Sequence, residues 1–232
     1  MALITAVDPP LSDKLWAVQR CWASCDKCGL SKFRSMPAYT KAEHGPRKPE
    51  LLFVTDRFDP AVLQTREFPT GNYEGVLRTL LSSFGHIPAD YWFTPATLCP
   101  TTVPDPDDWR PLELMPVPNR AQVSACRPRL HEEIRLLCPE IIVCLGKMAV
   151  EAVFPKNPPK FVPNPGEIVE PQVSGGLSPM VVPCMVTYSL SHLYRNWDMS
   201  EGGLWNTAFN HIQQASVIAR HLREQRGENI SD

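Results

Sequence analysis

The feature that most constrains the fold is an alternation: short apolar runs of strand type are each followed by a segment with helical spacing. "LLFVT" (51–55) is one such run. After it, "NYEGVLRTLLSSFG" sets Val76, Leu77, Leu80, Leu81 and Phe84 on one helical face and stops at Gly85, a residue suited to a left-handed helix end. "YWFTPATL" is aromatic and β-branched and reads as a strand up to Pro95, which has no N–H for a ladder. "RAQVSACRPRLHEEIRLL" places Leu130, Ile134 and Leu137 at helix spacing. "EIIVCLG" is apolar throughout, like a strand buried on both faces, and "KMAVEAVF" reads as a short helix. "MVVPCMVTY" is a further strand with Pro183 near its start. Leu204, Ala208, Ile212, Ala215, Ala219 and Leu222 recur at three- and four-residue steps, the mark of a long amphipathic helix. Strand–helix alternation predicts an α/β fold with a largely parallel sheet. Ligands of such sheets bind beyond the carboxyl ends of the strands, which gathers "TDRFDP", "TPATLC" and "YSLSHLYR" at one edge.

Between these elements lie the prolines, 25 in 232 residues and about twice the usual share of roughly 5%. They concentrate in 100–118 and 154–166, which are expected to be stiff surface loops inside one domain. The chain is expected to be a single domain over 1–232, with an N-terminal helix and C-x-x-C (1–48), a core (49–200) and a C-terminal helix (201–226). A net charge of −2 gives no global basic field for nucleic acid or membrane, though a local patch is enough for DNA. The N-terminus lacks a basic start and breaks at Pro9-Pro10, and no apolar run approaches membrane length, so a cytoplasmic monomer without a membrane partner is expected.

Eight cysteines are many for such a protein, and in a reducing compartment they suggest metal or catalysis before disulfides. "CWASCDKCGL" holds a C-x-x-C at Cys25 and Cys28. Cys99 follows a strand on the ligand side, and Cys126 is joined to it by one proline-rich loop. Cys138, Cys144 and Cys184 read as small core residues, and Cys21 as a spare thiol. Four thiolates suit tetrahedral zinc or a [4Fe–4S] cluster, and composition does not choose between them.

The order of motifs resembles the iron–sulfur, family-four branch of the uracil-DNA glycosylase superfamily. Cys25, Cys28, Leu30 and Arg34 match its C-x-x-C-x-L and following Arg; "VTDRFDP" stands where it has G-E-A-P-G. "EFPTGNYEGVLRTLL", "FTPATLC", "CRPRLHEEI", "IIVCLGKMA" and "TYSLSHLYR" follow in the family's order. The resemblance implies a three-layer α/β/α sandwich around a central, mostly parallel four-stranded sheet. It also implies DNA as partner and a [4Fe–4S] cluster on Cys25, Cys28, Cys99 and Cys126, with zinc as the alternative.

The departures from the family pattern are as informative. Asp56 takes the place of the family's water-positioning acid, without its flanking glycines. The asparagine that reads uracil is Pro95, and the histidine of H-P-S is Ser189; Ser191, Leu193 and Arg195 persist. By resemblance, Asp56 is the catalytic carboxylate, Phe68 stacks on the base, and His192 or Ser189 contacts the leaving base. Leu193, Tyr194 and Arg195 form a groove-inserting loop, with Arg195 on phosphate. A site that pairs a polar base edge discriminates strongly because the wrong base leaves buried groups unpaired, and proline offers no donor. The expectation is a DNA glycosylase for a modified or bulky base other than uracil, in a setting such as anti-phage defence. The rival is a catalytically inactive DNA-binding accessory of repair or replication.

Overall fold

A computed structural model describes residues 11–33, 48–57, 72–87, 90–101, 116–154, 166, 168–169, 172–173, 180–196 and 198–227. Four of its strands come from the apolar runs: β1 (Leu51–Thr55), β2 (Tyr91–Pro95), β3 (Ile141–Leu145) and, later in the chain, β7 (Cys184–Thr187). Every residue in them is buried, as parallel strands covered on both faces require. β1 pairs in parallel with β2 and β3, and β3 in parallel with β7.

A fifth strand, β4 (Ile168–Val169), adds antiparallel to β7, giving the order β2-β1-β3-β7-β4. The central sheet thus has the four parallel strands expected plus a two-residue edge. Pro183 also divides what reads as one strand. β6 (Met180–Val181) leaves to pair with β5 (Gln172–Val173), and β7 begins only after the proline, whose carbonyl accepts from Ile142 N at 2.9 Å.

Side-chain alternation along the strands builds two cores. Leu52, Val54, Trp92, Ile142, Cys144, Cys184 and Val186 face one side. They meet Leu15 of α1 (Leu11–Trp22), Val123, Leu130, Ile134 and Leu137 of α3 (Arg120–Leu137), and Ala149, Val150, Ala152 and Val153 of α4 (Lys147–Val153). Leu51, Phe53, Tyr91, Phe93, Ile141, Val143, Leu145 and Met185 face the other. There they pack on Leu77 and Leu81 of α2 (Asn72–Ser83), Leu190 of α5 (Leu190–Arg195), and Ile212, Ala215 and Ala219 of α6 (Leu204–Gln225). The molecule is therefore a three-layer α/β/α sandwich.

Two helix boundaries position the site. Asn119 opens α3 with a capping box: its side chain accepts from Gln122 N at 3.0 Å, and Gln122 accepts from Asn119 N at 2.8 Å. The helix then runs through Pro128 and closes at Cys138, whose φ of 44° is the left-handed end usually given to glycine. At the opposite end of the sheet, away from the ligand side, α6 is tied down by ion pairs. Arg223 pairs with buried Glu50, Arg226 with buried Glu140, and Arg220 donates to the Phe84 carbonyl.

Candidate functional site

The carboxyl ends of β1, β2, β3 and β7 bring several sequence-predicted residues to one edge. Asp56 directly follows β1. Its Oδ1 accepts from the N–H of Met148 at 2.8 Å and of Ala149 at 3.1 Å, so the carboxylate caps the first turn of α4 from a neighbouring strand. Gly146, with φ 106°, makes this approach possible: a Cβ there would lie 2.3 Å from Asp56 Oδ2. Burial pushes the Asp56 carboxyl up to about 6, against the pull of the Ala149 and Met148 amides and of Arg57. The residue as a whole still keeps part of its surface open to solvent.

Pro95 ends β2, buried, with its carbonyl held by Nη2 of Arg129. Ser189 is the N-cap of α5, its Oγ accepting from His192 N at 3.2 Å and lying 3.3 Å from Ser191 Oγ. Ser191 is itself buried. His192 is half-buried and stacks on Tyr188 at 5.7 Å between ring centroids, with Asn196 Nδ2 3.4 Å from its Nδ1. Arg195 is exposed in the last turn of α5.

Leu193 corrects one expectation. It is 2% exposed in a small cluster with Trp205 and Ala208, and its carbonyl accepts from Trp205 Nε1 at 2.9 Å. In this structure it is a core residue, because α6 supplies an apolar face that the short helix α5 must cover. Phe68 lies outside the described residues, as does the side chain of Tyr194. Sequence reasoning missed His211, whose Nδ1 lies 3.0 Å from Thr187 Oγ1 and whose ring stacks on Tyr188 at 6.5 Å. Burial holds its pKa below the usual histidine value, favouring neutral imidazole at neutral pH. The only sequence signal was its place beside the apolar stripe of α6.

The four predicted cysteines line one pocket, partly open to solvent, together with Trp22, Leu30, Thr97, Leu98 and Ala125. Cys25 and Cys28 sit in the turns after α1, where Gly29 takes φ 72° and Leu30 turns inward. Cys99 is buried beyond β2, and Cys126 lies on α3. Trp22 is fixed by a hydrogen bond to Glu132 of α3 at 3.0 Å. Burial raises the Cys28 thiol above its ordinary pKa; a backbone bond at Leu30 counters this, and the neighbouring Cys126 and Cys25 add to it. Negative charge on one sulfur thus opposes charge on the next, a crowding that a bound cation would relieve.

Among the described residues, no group of three or more His, Cys, Asp or Glu is set to hold a metal ion as it stands. The four thiols share a pocket rather than a point. Among the described residues, the others that line it are apolar apart from Thr97 and include no carboxylate or imidazole, which fits a thiolate-ligated centre. Cys144 and Cys184, with sulfurs 3.3 Å apart, are buried in the sheet, while Cys21 is exposed.

Among the described residues, no helix is long and apolar enough to cross a membrane. No curated protein matches the chain significantly. The family model described as the uracil DNA glycosylase superfamily matches residues 57–213, more than half of the chain, beginning just after Asp56 and leaving out Cys25 and Cys28.

Proposed function

The chain belongs to the uracil DNA glycosylase superfamily, and from that premise we propose that it hydrolyses the N-glycosidic bond of a modified or bulky base other than uracil, flipped out of DNA. The observation that carries the reading is Pro95. It closes β2 where the resembling family reads uracil with an amide, it has no N–H, and its carbonyl is already taken by Arg129. Uracil would leave a donor and an acceptor unmatched there.

Base removal needs little covalent help from the protein. As the glycosidic bond lengthens, positive charge develops on the sugar, and a carboxylate stabilises it or orients water. Asp56 is the acid at that edge. Met148 and Ala149 both bind Oδ1, which leaves Oδ2 as the oxygen to meet sugar or water. Arg195, exposed on α5, takes a DNA phosphate. Cys25, Cys28, Cys99 and Cys126 would hold the [4Fe–4S] cluster, or zinc in its place. Such a centre supplies a clamp across three segments, since glycosidic hydrolysis transfers no electrons. Defence against phage DNA built from altered bases is a setting in which this specificity is useful.

A second reading, a DNA-binding accessory without catalysis, draws on the same geometry. Asp56 and Ser189 both give their side chains to helix caps, which is a sufficient structural reason for each. An abasic-site assay separates the two. Duplex and single-stranded DNA carrying uracil, hydroxymethylated or glucosylated pyrimidines are incubated with the protein, then cleaved with alkali. A modified base should be released at least about a thousandfold faster than uracil, and Asp56→Ala should lose that release. Rapid release of uracil alone, or full activity without Asp56, overturns the proposal; binding with no scission on any substrate establishes the accessory reading.

A further inference from the structure

We infer that Arg129 is a positioning residue that joins the thiolate pocket to the carboxyl end of β2. The inference rests on the thiolate-centre reading above. Arg129 is fully buried, on the turn of α3 after Cys126. Its Nη1 donates to Thr94 Oγ1 at 2.7 Å and to Glu133 Oε2 at 2.8 Å, and Thr94 Oγ1 donates in turn to Glu133 Oε2 at 2.6 Å. Its Nη2 is turned the other way. That nitrogen donates to the Pro95 carbonyl and reaches Cys126 Sγ at 3.9 Å. One planar cation therefore touches the end of the base-side strand and a candidate ligand sulfur with the same atom.

Stability alone does not account for the arrangement. Glu133 is as deeply buried as Arg129, and an apolar pair of similar volume is often at least as stable as a buried ion pair. Arg129 Nε and Glu133 Oε1 are moreover buried with no hydrogen-bond partner among the described residues. A network built for stability would satisfy both. What the guanidinium offers that an apolar side chain cannot is a fixed, permanently charged fork, one prong on the pair and one on sulfur and strand. Beside a bound centre, a cationic donor to a ligand sulfur favours the more negative form, raises the reduction potential and fixes the ligand's direction. Through the Pro95 carbonyl, the same contact sets where β2 ends.

The test uses the full chain reconstituted with ferrous iron and sulfide. Wild type is compared with Arg129→Lys, which keeps the charge but not the fork, and with the double variant Arg129→Met/Glu133→Leu, which removes the buried pair together and guards against an unfolded single mutant. The double variant should fold, hold a centre of lower reduction potential, and lose it to a chelator about ten- to a hundredfold faster; Arg129→Lys should fall between. Glu133→Gln, which leaves the sulfur contact in place and removes a negative charge, should not lower the potential. A folded double variant with wild-type potential and retention overturns the role of Arg129. Cys126→Ser separates that failure from the deeper one: a Cys126→Ser chain that keeps its centre like wild type overturns the thiolate reading itself.

Discussion

Burial lifts the Asp56 carboxyl to about 6, from an ordinary value of 3.8, although two helix amides and Arg57 pull it down. A folded-state pKa raised above the unfolded one means that the native state binds the extra proton. Stability from this group is therefore full below about 4 and is lost as pH rises through about 6. The shift corresponds to roughly 3 kcal/mol, or about 2 kcal/mol after discounting for the surface that Asp56 keeps in water. Asp56→Asn retains an acceptor for Met148 and Ala149 while removing the charge. In urea unfolding it should match or exceed wild type by up to about 2 kcal/mol at pH 8, with the gap closing near pH 5. Asp56→Ala loses the cap and should be destabilised by about 1 kcal/mol at pH 5. Base release by wild type should fall as pH drops through 6, and Asp56→Asn should lose release while staying folded. If Asp56→Asn keeps wild-type release, the acid is only a cap. The acid after the first strand was legible in the sequence. Its bond to α4 was not, because that helix starts more than ninety residues later and meets Asp56 only through the β1–β3 register.

Among the elements, α6 shows how a helix outside the site holds the sheet that carries it. Glu50, at the start of β1, is buried, which alone would raise its carboxyl; His86 and Arg223 outweigh that and hold it below the usual range. A depressed carboxyl stabilises the fold above the unfolded pKa and loses that contribution on acidification, so the docking of α6 weakens as pH falls below about 4. Arg223→Ala should cost about 2–3 kcal/mol by urea unfolding at pH 7, at or below the range for a broken buried pair because His86 Nδ1 stays 3.2 Å from the other Glu50 oxygen. Adding Glu50→Gln should recover part of the loss; strictly additive losses would deny that the two residues act as a pair. The stripe of α6 and the apolar runs of β1, β2 and β3 were plain in the sequence, since burial on both faces leaves no polar position to confuse the period. The splitting at Pro183 and the two-residue β4 were not, because strands that short are set by their partners rather than by their own residues. The helical spacing of "RAQVSACRPRLHEEIRLL" was legible across Pro128; packing of Leu130, Ile134 and Leu137 outweighs the one missing backbone bond.

At the scale of the whole molecule, the thiolate pocket is where three distant segments meet: the turns after α1, the chain beyond β2, and α3. The cysteines themselves could be picked out by spacing and by the ligand edge, whereas Trp22, which lines the pocket, and Arg129, which reaches Cys126 Sγ, carried no motif. Among the described residues, α1 gives Leu15 to the large core on its side, and Trp22 donates a hydrogen bond to Glu132. With the proposed centre bound, the helix and the C-x-x-C turn would depend on it more than the sheet does, since the parallel strands close their ladders without it. Binding to four sulfurs drawn from three segments acts as folding free energy for the segment with the weakest anchorage of its own. Removal of the centre by a chelator, or by Cys25→Ser/Cys28→Ser, should therefore accelerate amide hydrogen exchange across 11–33 by about a hundredfold or more, some 3 kcal/mol of local opening. Amides of β1, β3 and β7 should keep most of their protection. Exchange that rises evenly over the sheet and α1 together would mean that the pocket is an integral part of the core, and that no clamp is needed to hold the first helix down.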